Sequence, residues 1–182
     1  MAADFPSLVS LACHDLRTPL ATVQGFAKTL LRLDELEGEK AVRYLGLIDA
    51  ASNELVELLD LLSLAARIEG GRYDPILRQL DSLELVPEGA LGTGATVSVD
   101  PEPVTRALAG LARAATRHGA VEVSTSVDGP RVTIEPIVAD AASVVLGEEQ
   151  KDLGAAVAVR LLRALGADVT LEGERLVVLL PV

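Results

Sequence analysis

The sequence is poor in several residue types that normally carry a fold or a metal site. Its 182 residues include one cysteine, no tryptophan, two tyrosines, two phenylalanines and a single asparagine, Asn53. The lone Cys13 excludes an intrachain disulfide and a cysteine-built zinc site, and it fits a reducing compartment. With so few aromatic residues, the core must consist of Leu, Val, Ile and Ala. This favours helix packing and helix-on-sheet layers over an aromatic-rich β-sandwich.

Positive charge and long apolar runs are also scarce. The chain has 16 Lys and Arg against 27 Asp and Glu, which gives a net charge of −11. That balance argues against nucleic acid or an anionic membrane as a partner, because phosphate contacts need a surplus of Lys and Arg. No segment approaches the roughly 18 apolar residues of a membrane span, and no signal peptide is evident. We therefore expect a cytoplasmic protein that depends on another molecule for sensing.

In the first seventy or so residues, apolar residues recur at helical spacing in two successive runs, which predicts two helices. Asp4 and Pro6 mark the start of the first helix, a polar break follows at residues 34–38, and the second helix spans about 40–69. Such helices form an antiparallel hairpin with one apolar face uncovered, and pairing two copies buries that face in a four-helix bundle. The sequence thus predicts a homodimer. The expected apolar positions are Leu8, Ala12, Leu16, Val23, Ala27 and Leu30, then Leu45, Ile48, Leu55, Leu58, Leu59, Leu62 and Ala66.

A glycine- and proline-containing break at residues 70–75 divides the chain into predicted domains 1–72 and 73–182. After it we expect strands at 95–99, 121–127, 131–138, 169–171 and 175–180, and helices at 103–117 and 153–165. The predicted fold class is α+β. A helical hairpin that forms a dimeric four-helix bundle is followed by a small α/β-sandwich domain with a mostly antiparallel sheet.

His14 opens the run His-Asp-Leu-Arg-Thr-Pro-Leu. A neutral imidazole is a good nucleophile near neutral pH, and its phosphorylated form can pass the phosphoryl group on. Asp15 can take a proton or orient the ring, and Arg17 places positive charge near a transferring phosphoryl group. Thr18, one turn along, can position a water. Pro19 should bend the helix just past the histidine.

This run resembles the H-box of two-component histidine kinases and histidine phosphotransferases, and the resemblance continues into residues 58–71. It implies a dimerisation and histidine-phosphotransfer domain over residues 1–72. It also implies that His14 is phosphorylated, that Asp15 assists as a base and that Thr18 supports phosphatase activity. We expect a response-regulator receiver domain to dock beside His14, at Ala21, Gly25 and Lys28. These positions are expected to be exposed, and most of them are small, so they permit close approach. The other histidine, His118, is interpreted as a surface residue.

The second half resembles the ATP-binding domain of the same kinases in a truncated, degenerate form. Gly110 and Ala114 align with the family's Mg²⁺-holding asparagines, and neither offers an oxygen ligand. Asp140 aligns with the adenine-binding aspartate, but the glycines that should follow it are absent. The last glycine box keeps only Gly154, and about ten residues stand between Asp140 and Asp152, where the family has a long lid. We therefore expect no cofactor and no metal.

Three functions stay open. The first is a histidine phosphotransferase that exchanges phosphoryl groups with receiver domains, with an upstream histidine kinase as a further candidate partner. The second is a compact ATP-dependent histidine kinase, the only alternative that needs Mg-ATP. The third is a non-catalytic receiver-binding scaffold or a dedicated phosphatase. The intact His-Asp-x-Arg-Thr set favours the phosphotransferase. The loss of the residue types that contact nucleotide in the family argues against autokinase activity.

Overall fold

A computed structural model describes residues 5–32, 38–149 and 151–182. The N-terminal part is the expected helical hairpin, built from α1 (Phe5–Asp15), α2 (Arg17–Arg32) and α3 (Gly38–Glu69). The expected helix start at Asp4 and most of the expected polar break lie outside the described residues. The hairpin exists because apolar residues recur at helical spacing on both arms and pack α2 against α3.

The first arm of the hairpin is interrupted at Leu16, between α1 and α2. Pro19 has no amide hydrogen to donate to the Asp15 carbonyl, and a proline ring crowds the carbonyl four residues before it. The neighbouring bonds persist, since the Leu16 amide donates to the Ala12 carbonyl at 2.9 Å and the Leu20 amide donates to the Leu16 carbonyl at 3.2 Å. The expected disturbance of the helix by the proline is therefore present, and it lies directly beside the histidine.

The remainder of the chain is a small α/β unit. Its strands are β1 (Arg78–Asp81), β2 (Leu91–Gly94), β3 (Thr96–Val99), β4 (Ser124–Gly129), β5 (Arg131–Glu135), β6 (Asp168–Glu172) and β7 (Arg175–Leu179). Five of them form a sheet in the order β2-β4-β5-β7-β6, with β2 and β4 parallel and the other pairs antiparallel, and β1 pairs with β3 in a separate antiparallel ribbon. The helices are α4 (Pro101–Gly119), α5 (Ala139–Val145) and α6 (Leu153–Ala164), with a 3-10 turn at Ser82–Leu85. The predicted α+β class is confirmed.

Several elements differ from the sequence prediction. The strands β1 and β2, the 3-10 turn and the helix α5 were not predicted, and β4 begins at Ser124 rather than at Val121. Residues 138–143, interpreted as a relic of an adenine-binding loop, instead enter α5, because the alanines and valines of this segment bury one side against α4. The segment between Gly71 and Asp100 contains, in chain order, β1, the 3-10 turn, β2 and β3.

The hairpin and the α/β unit share a hydrophobic core. Side chains from α1 and α3 are buried against the first turns of α6, and the buried members of this cluster are Leu8, Leu11, Ala12, Ala65, Leu153, Ala156 and Val157. A second, larger cluster lies between the sheet and α4, α5 and α6. Because α1 carries the histidine motif, its position depends on the α/β unit as well as on the hairpin.

Two residues expected to be buried in the hairpin are exposed. Leu45 is 55% and Leu59 is 52% exposed, and Leu20, Leu31 and Val42 are also open to solvent. One hairpin has only two arms, so the side chains that point away from both the other arm and α6 have nothing to pack against. The sequence places both residues on the side that a second copy would cover, so their exposure in a single chain leaves that prediction untested.

No helix among the described residues is long and apolar enough to cross a membrane.

Candidate phosphoryl-transfer site

His14 lies in the last turn of α1 and points into solvent. Its side chain is 78% exposed, and its Nδ1 is 3.2 Å from Oδ1 of Asp15. The reason for this exposure is local, because Leu11 and Ala12 occupy the buried side of the same turn. With the Asp15 carboxylate as acceptor, this contact favours the tautomer that has its proton on Nδ1 and its lone pair on Nε2. In that tautomer Nε2 is the ring nitrogen that can act as a nucleophile.

Arg17 and Thr18 follow at the start of α2, and both are exposed. They line the upper end of an open groove of about 640 Å³ that runs down α2. Ala21 and Gly25, two of the expected receiver-docking positions, lie in this groove, whereas Lys28 is exposed but does not line it. A Cβ atom added to Gly25 would meet nothing within 4 Å. The groove thus starts at Arg17, three residues after His14, and most of its lining residues are small.

Sequence reasoning missed three further groove residues, namely Thr22, Phe26 and Thr29. Two threonine hydroxyls turn back onto the helix: Thr22 donates to the Thr18 carbonyl at 3.2 Å and Thr29 donates to the Gly25 carbonyl at 2.9 Å. Phe26 stacks on Tyr44 of α3, with ring centroids 5.3 Å apart. The spacing of about one, two and three helical turns from Thr18 was the signal that could have found them.

The positions that align with nucleotide ligands do not fit Mg-ATP. Ala114 is buried in the core of α4, and Gly110, one turn earlier, has no side chain. Asp140 lies in the first turn of α5 rather than in a flexible loop. Mg²⁺ takes oxygen ligands, and among the described residues no group of three His, Cys, Asp or Glu side chains converges as a metal site.

The amino end of α6, where the degenerate glycine box lies, is occupied by the chain's own carboxylate. Oδ1 of Asp152 accepts a hydrogen bond from the Ala155 amide at 2.9 Å, which caps the helix. Oδ2 accepts from Nη1 of Arg117 and lies within hydrogen-bond distance of Nε2 of His118, each at 3.3 Å. The His118 side chain is 20% exposed and is held against Asp152, the cap of α6, so the residue is partly buried rather than the surface residue expected.

Residues 7–71 match the model of the His Kinase A (phospho-acceptor) domain. The hairpin is a histidine kinase phospho-acceptor domain. His14 is the only histidine within the matched range. The resemblance of the sequence to the two-component histidine kinase family is therefore supported, and the chain carries the phospho-acceptor domain of two-component signalling.

The fold of the whole chain is also that of a histidine kinase. The Acinetobacter baumannii histidine kinase AdeS superposes with a TM-score of 0.60 at 16% identity, over 91% of this chain and 94% of that chain. At this identity the likeness concerns the fold and does not carry over an activity. No curated protein matches the sequence.

Proposed function

We propose that the protein is a histidine phosphotransferase that exchanges phosphoryl groups between His14 and the aspartate of a response-regulator receiver domain. The observation that carries the proposal is the outward-facing imidazole whose Nδ1 is held by Asp15. A phosphoryl donor carried by a second protein needs an accessible nucleophile, and His14 meets that need without any movement of the hairpin.

The reaction can be written with these groups. The Nε2 lone pair of neutral His14 attacks the phosphorus of the receiver's aspartyl phosphate, so that an N–P bond forms and the acyl P–O bond breaks. The receiver's aspartate leaves as a carboxylate, and the product imidazolium keeps its proton on Nδ1. Asp15 stabilises this cation, and Arg17 places positive charge near the transferring oxygens. Return of the phosphoryl group to a receiver is the same step in reverse.

The α/β unit supports a role that needs no nucleotide. The two positions that align with the Mg²⁺-holding asparagines, Gly110 and Ala114, lack oxygen ligands, and the amino end of α6 is filled by Asp152. In addition, α6 is packed into a shared core with α1 and α3. We propose that this unit now holds the His14 helix in place, so that phosphoryl groups arrive from a partner protein and neither cofactor nor metal is required.

A homodimer completes the proposed assembly. A second copy can cover the exposed apolar residues of α2 and α3, chiefly Leu31, Leu45 and Leu59, because two antiparallel hairpins form a four-helix bundle with a common apolar interior.

The test is transfer from purified receiver domains of the source organism, each phosphorylated with ³²P-labelled acetyl phosphate. We expect acid-labile, alkali-stable label on the wild-type chain with at least one receiver, and none on the His14→Gln variant. Label on the variant, or none on the wild type from any receiver, would refute the proposal.

An ATP-dependent kinase is the second candidate, because the fold of a histidine kinase extends over both parts of the chain. It predicts that Mg-ATP alone labels His14 in the purified protein. A receiver-binding scaffold predicts instead that receivers bind equally well to wild type and to His14→Gln, with no label moving in either direction.

A further inference from the structure

We infer that His118 and Asp152 are positioning residues for phosphoryl transfer at His14, an inference that rests on the proposed function. The pair His118 and Asp152 is called the latch below. It fixes the start of α6, and α6 in turn fixes the helix that carries His14. Because an imidazole changes its charge near neutral pH, the latch makes the order of α1 and the rate of transfer depend on pH.

The Asp152 carboxylate joins two helices that are distant in the sequence. Its side chain is 8% exposed, and Oδ1 accepts a hydrogen bond from the Ala155 amide at 2.9 Å, while Oδ2 lies 3.3 Å from Nε2 of His118. A buried carboxylate is stable only when its oxygens have such partners. The end of α4 and the start of α6 are therefore held together at this carboxylate.

The start of α6 is also the part of that helix that meets the hairpin. Leu153, directly after Asp152, and Val157, one turn later, are buried in the same cluster as Ala12 of α1. Side chains in such a core are closely packed, so a shift of one element is passed to its neighbours. Ala12 precedes His14 by two residues. The first turn of α6 therefore controls the end of α1 that carries the imidazole.

His118 is the partner that controls the latch. Its side chain is 20% exposed, whereas that of Arg117, the other cation bonded to Oδ2 of Asp152, is 71% exposed. Solvent therefore screens the charge of Arg117. A neutral ring with its proton on Nε2 donates a hydrogen bond to the carboxylate. A protonated ring donates the same bond and adds the attraction of opposite charges, which is stronger at a partly buried site than in water.

The other charges near the latch come from the segment that joins α5 to α6. There, Nζ of Lys151 lies 2.7 Å from Oε1 of Glu149. The pKa of Glu149 is lowered chiefly by the hydrogen bond from Lys151, and the charge of His118 adds a smaller effect, so Glu149 also lies near the ring. The helix α5 contributes the apolar Ala141 next to this end of α4. Within the described ranges, a proton on His118 thus meets the carboxylates of Asp152 and Glu149.

The two histidines of the chain then respond to pH in opposite directions. His14 must be neutral to attack phosphorus, which favours transfer at higher pH. A proton on His118 tightens the latch and orders α1, which favours transfer at lower pH, and this contribution is lost as the pH rises and His118 gives up that proton. A variant that lacks only the His118 imidazole keeps His14. The ratio of wild-type to variant rates at one pH therefore reports the latch alone.

The test compares wild type with His118→Gln between about pH 5.5 and 8, the range in which an imidazole titrates. Gln can donate a hydrogen bond to Asp152 but cannot gain a charge. The readouts are amide hydrogen exchange in residues 5–15 and the single-turnover rate of transfer from the receiver that labels wild type. At the acidic end we expect about fivefold faster exchange and about fivefold slower transfer in His118→Gln, and at the alkaline end differences below about twofold.

Two further variants separate the charge from the cap. Asp152→Asn keeps the helix cap, because Asn caps as well as Asp, but it removes the charge that a protonated His118 meets. We expect it to lose the same pH-dependent part of both readouts. Arg106→Gln is the matched control, because it removes a cation that is 72% exposed and about three turns earlier on α4. It should follow wild type at every pH.

Wild-type-to-variant ratios that do not change with pH would overturn the inference while leaving the proposed phosphotransfer intact. Exchange that accelerates equally in residues 5–15 and in the core strands β5 and β7 would also overturn it, because His118 would then contribute only to overall stability. Altered exchange in α1 with unaltered transfer would show that the latch does not position His14 for reaction. Absence of transfer from every receiver in wild type would refute the proposed function, and exchange in residues 5–15 would then still decide whether the latch orders α1.

Discussion

Arg160 of α6 donates a hydrogen bond from Nε to Oε1 of Glu69, in the last turn of α3, at 3.1 Å. The Arg160 side chain is 8% exposed, and its Nη1 also donates to the Ala156 carbonyl at 3.2 Å. Its Nη2 has no partner among the described residues. This ion pair joins the α/β unit to the end of the hairpin, beside the shared core that holds α1, and so it contributes to the placement of His14.

The two partners of this ion pair should respond differently to substitution. Glu69→Ala leaves the buried guanidinium without its counter-charge, and we expect a loss of about 2 kcal/mol in the free energy of unfolding, less than for a fully buried pair because Glu69 is partly exposed. Arg160→Met removes the charge and the unpaired Nη2 together and fills the space with an apolar chain. We expect it to cost less than Glu69→Ala. Urea unfolding followed by circular dichroism gives both values, and a larger loss for Arg160→Met would contradict this account.

The core between α1 and α6 should control the order of the His14 helix. Leu8 is fully buried in that core, so Leu8→Ala creates a cavity that costs about 2–5 kcal/mol. We expect faster amide hydrogen exchange across residues 5–15, together with slower phosphoryl transfer. Leu8→Met, which nearly conserves the volume, is the matched control. Exchange in residues 5–15 that stays at the wild-type level in Leu8→Ala would show that α6 does not hold α1.

The exposed apolar residues of α3 should control assembly. We expect Leu59→Glu to weaken the proposed homodimer by at least tenfold, because two copies would have to bury a carboxylate at the centre of the bundle. Glu57→Gln, a nearby exposed residue on the same helix, should leave the dimer unchanged. Sedimentation equilibrium measures both dissociation constants. A Leu59→Glu variant as tightly dimeric as wild type would place the dimer interface elsewhere.

Thr18 should separate hydrolysis from transfer. Its hydroxyl lies one turn after His14 at the head of the groove, where it can position a water against a receiver's aspartyl phosphate. We expect Thr18→Ala to slow phosphate release from a phosphorylated receiver about tenfold or more while transfer to His14 changes less, and Thr18→Ser to retain most of the release. Equal losses in both reactions of Thr18→Ala would instead assign Thr18 to docking.

Much of the hairpin could be predicted because the sequence signals for it lie within the helices themselves. The helical spacing of apolar residues located α1 to α3, and Pro19 marked the interruption beside His14. The docking of α1 onto α6 could not be predicted, since an amphipathic stripe does not reveal which element will cover it. The partial burial of His118 has the same origin, because Asp152 and α6 come from a distant part of the sequence.

The strand β2 was missed for a different reason. It contains Gly92 and Gly94, and glycine normally argues against a strand. Here the parallel neighbour β4 comes so close that a Cβ atom on Gly92 would lie 1.8 Å from the Val127 carbonyl oxygen, and Gly92 has a φ of 128°. The need for glycine at position 92 comes from the paired strand β4, so the sequence of this segment alone could not predict β2.

Tyr73, just after the hairpin, gives a prediction about alkaline pH. Its hydroxyl donates to Oδ2 of Asp100 at 2.9 Å. The pKa of Tyr73 is raised well above the ordinary value, chiefly by burial and then by the hydrogen bond to Asp100 and the negative charge of that residue. The positive charge of Arg67 lowers this pKa by a smaller amount. Because the folded state favours the neutral phenol, Tyr73 contributes stability in full below the ordinary pKa of about 10. That contribution is lost progressively as the pH rises above this value.

The Tyr44→Phe variant isolates this effect, because it leaves Tyr73 as the only tyrosine in the chain. In that variant we expect phenolate absorbance at 295 nm to appear only as the far-ultraviolet circular dichroism is lost. Tyr73→Phe should be less stable by about 1 kcal/mol at neutral pH, the typical contribution of one hydrogen bond, and its stability should fall less steeply above about pH 10. Phenolate that forms near pH 10 in a fully folded Tyr44→Phe protein would mean that Tyr73 is not held by Asp100, and that the segment joining the hairpin to α4 is looser than its contacts indicate.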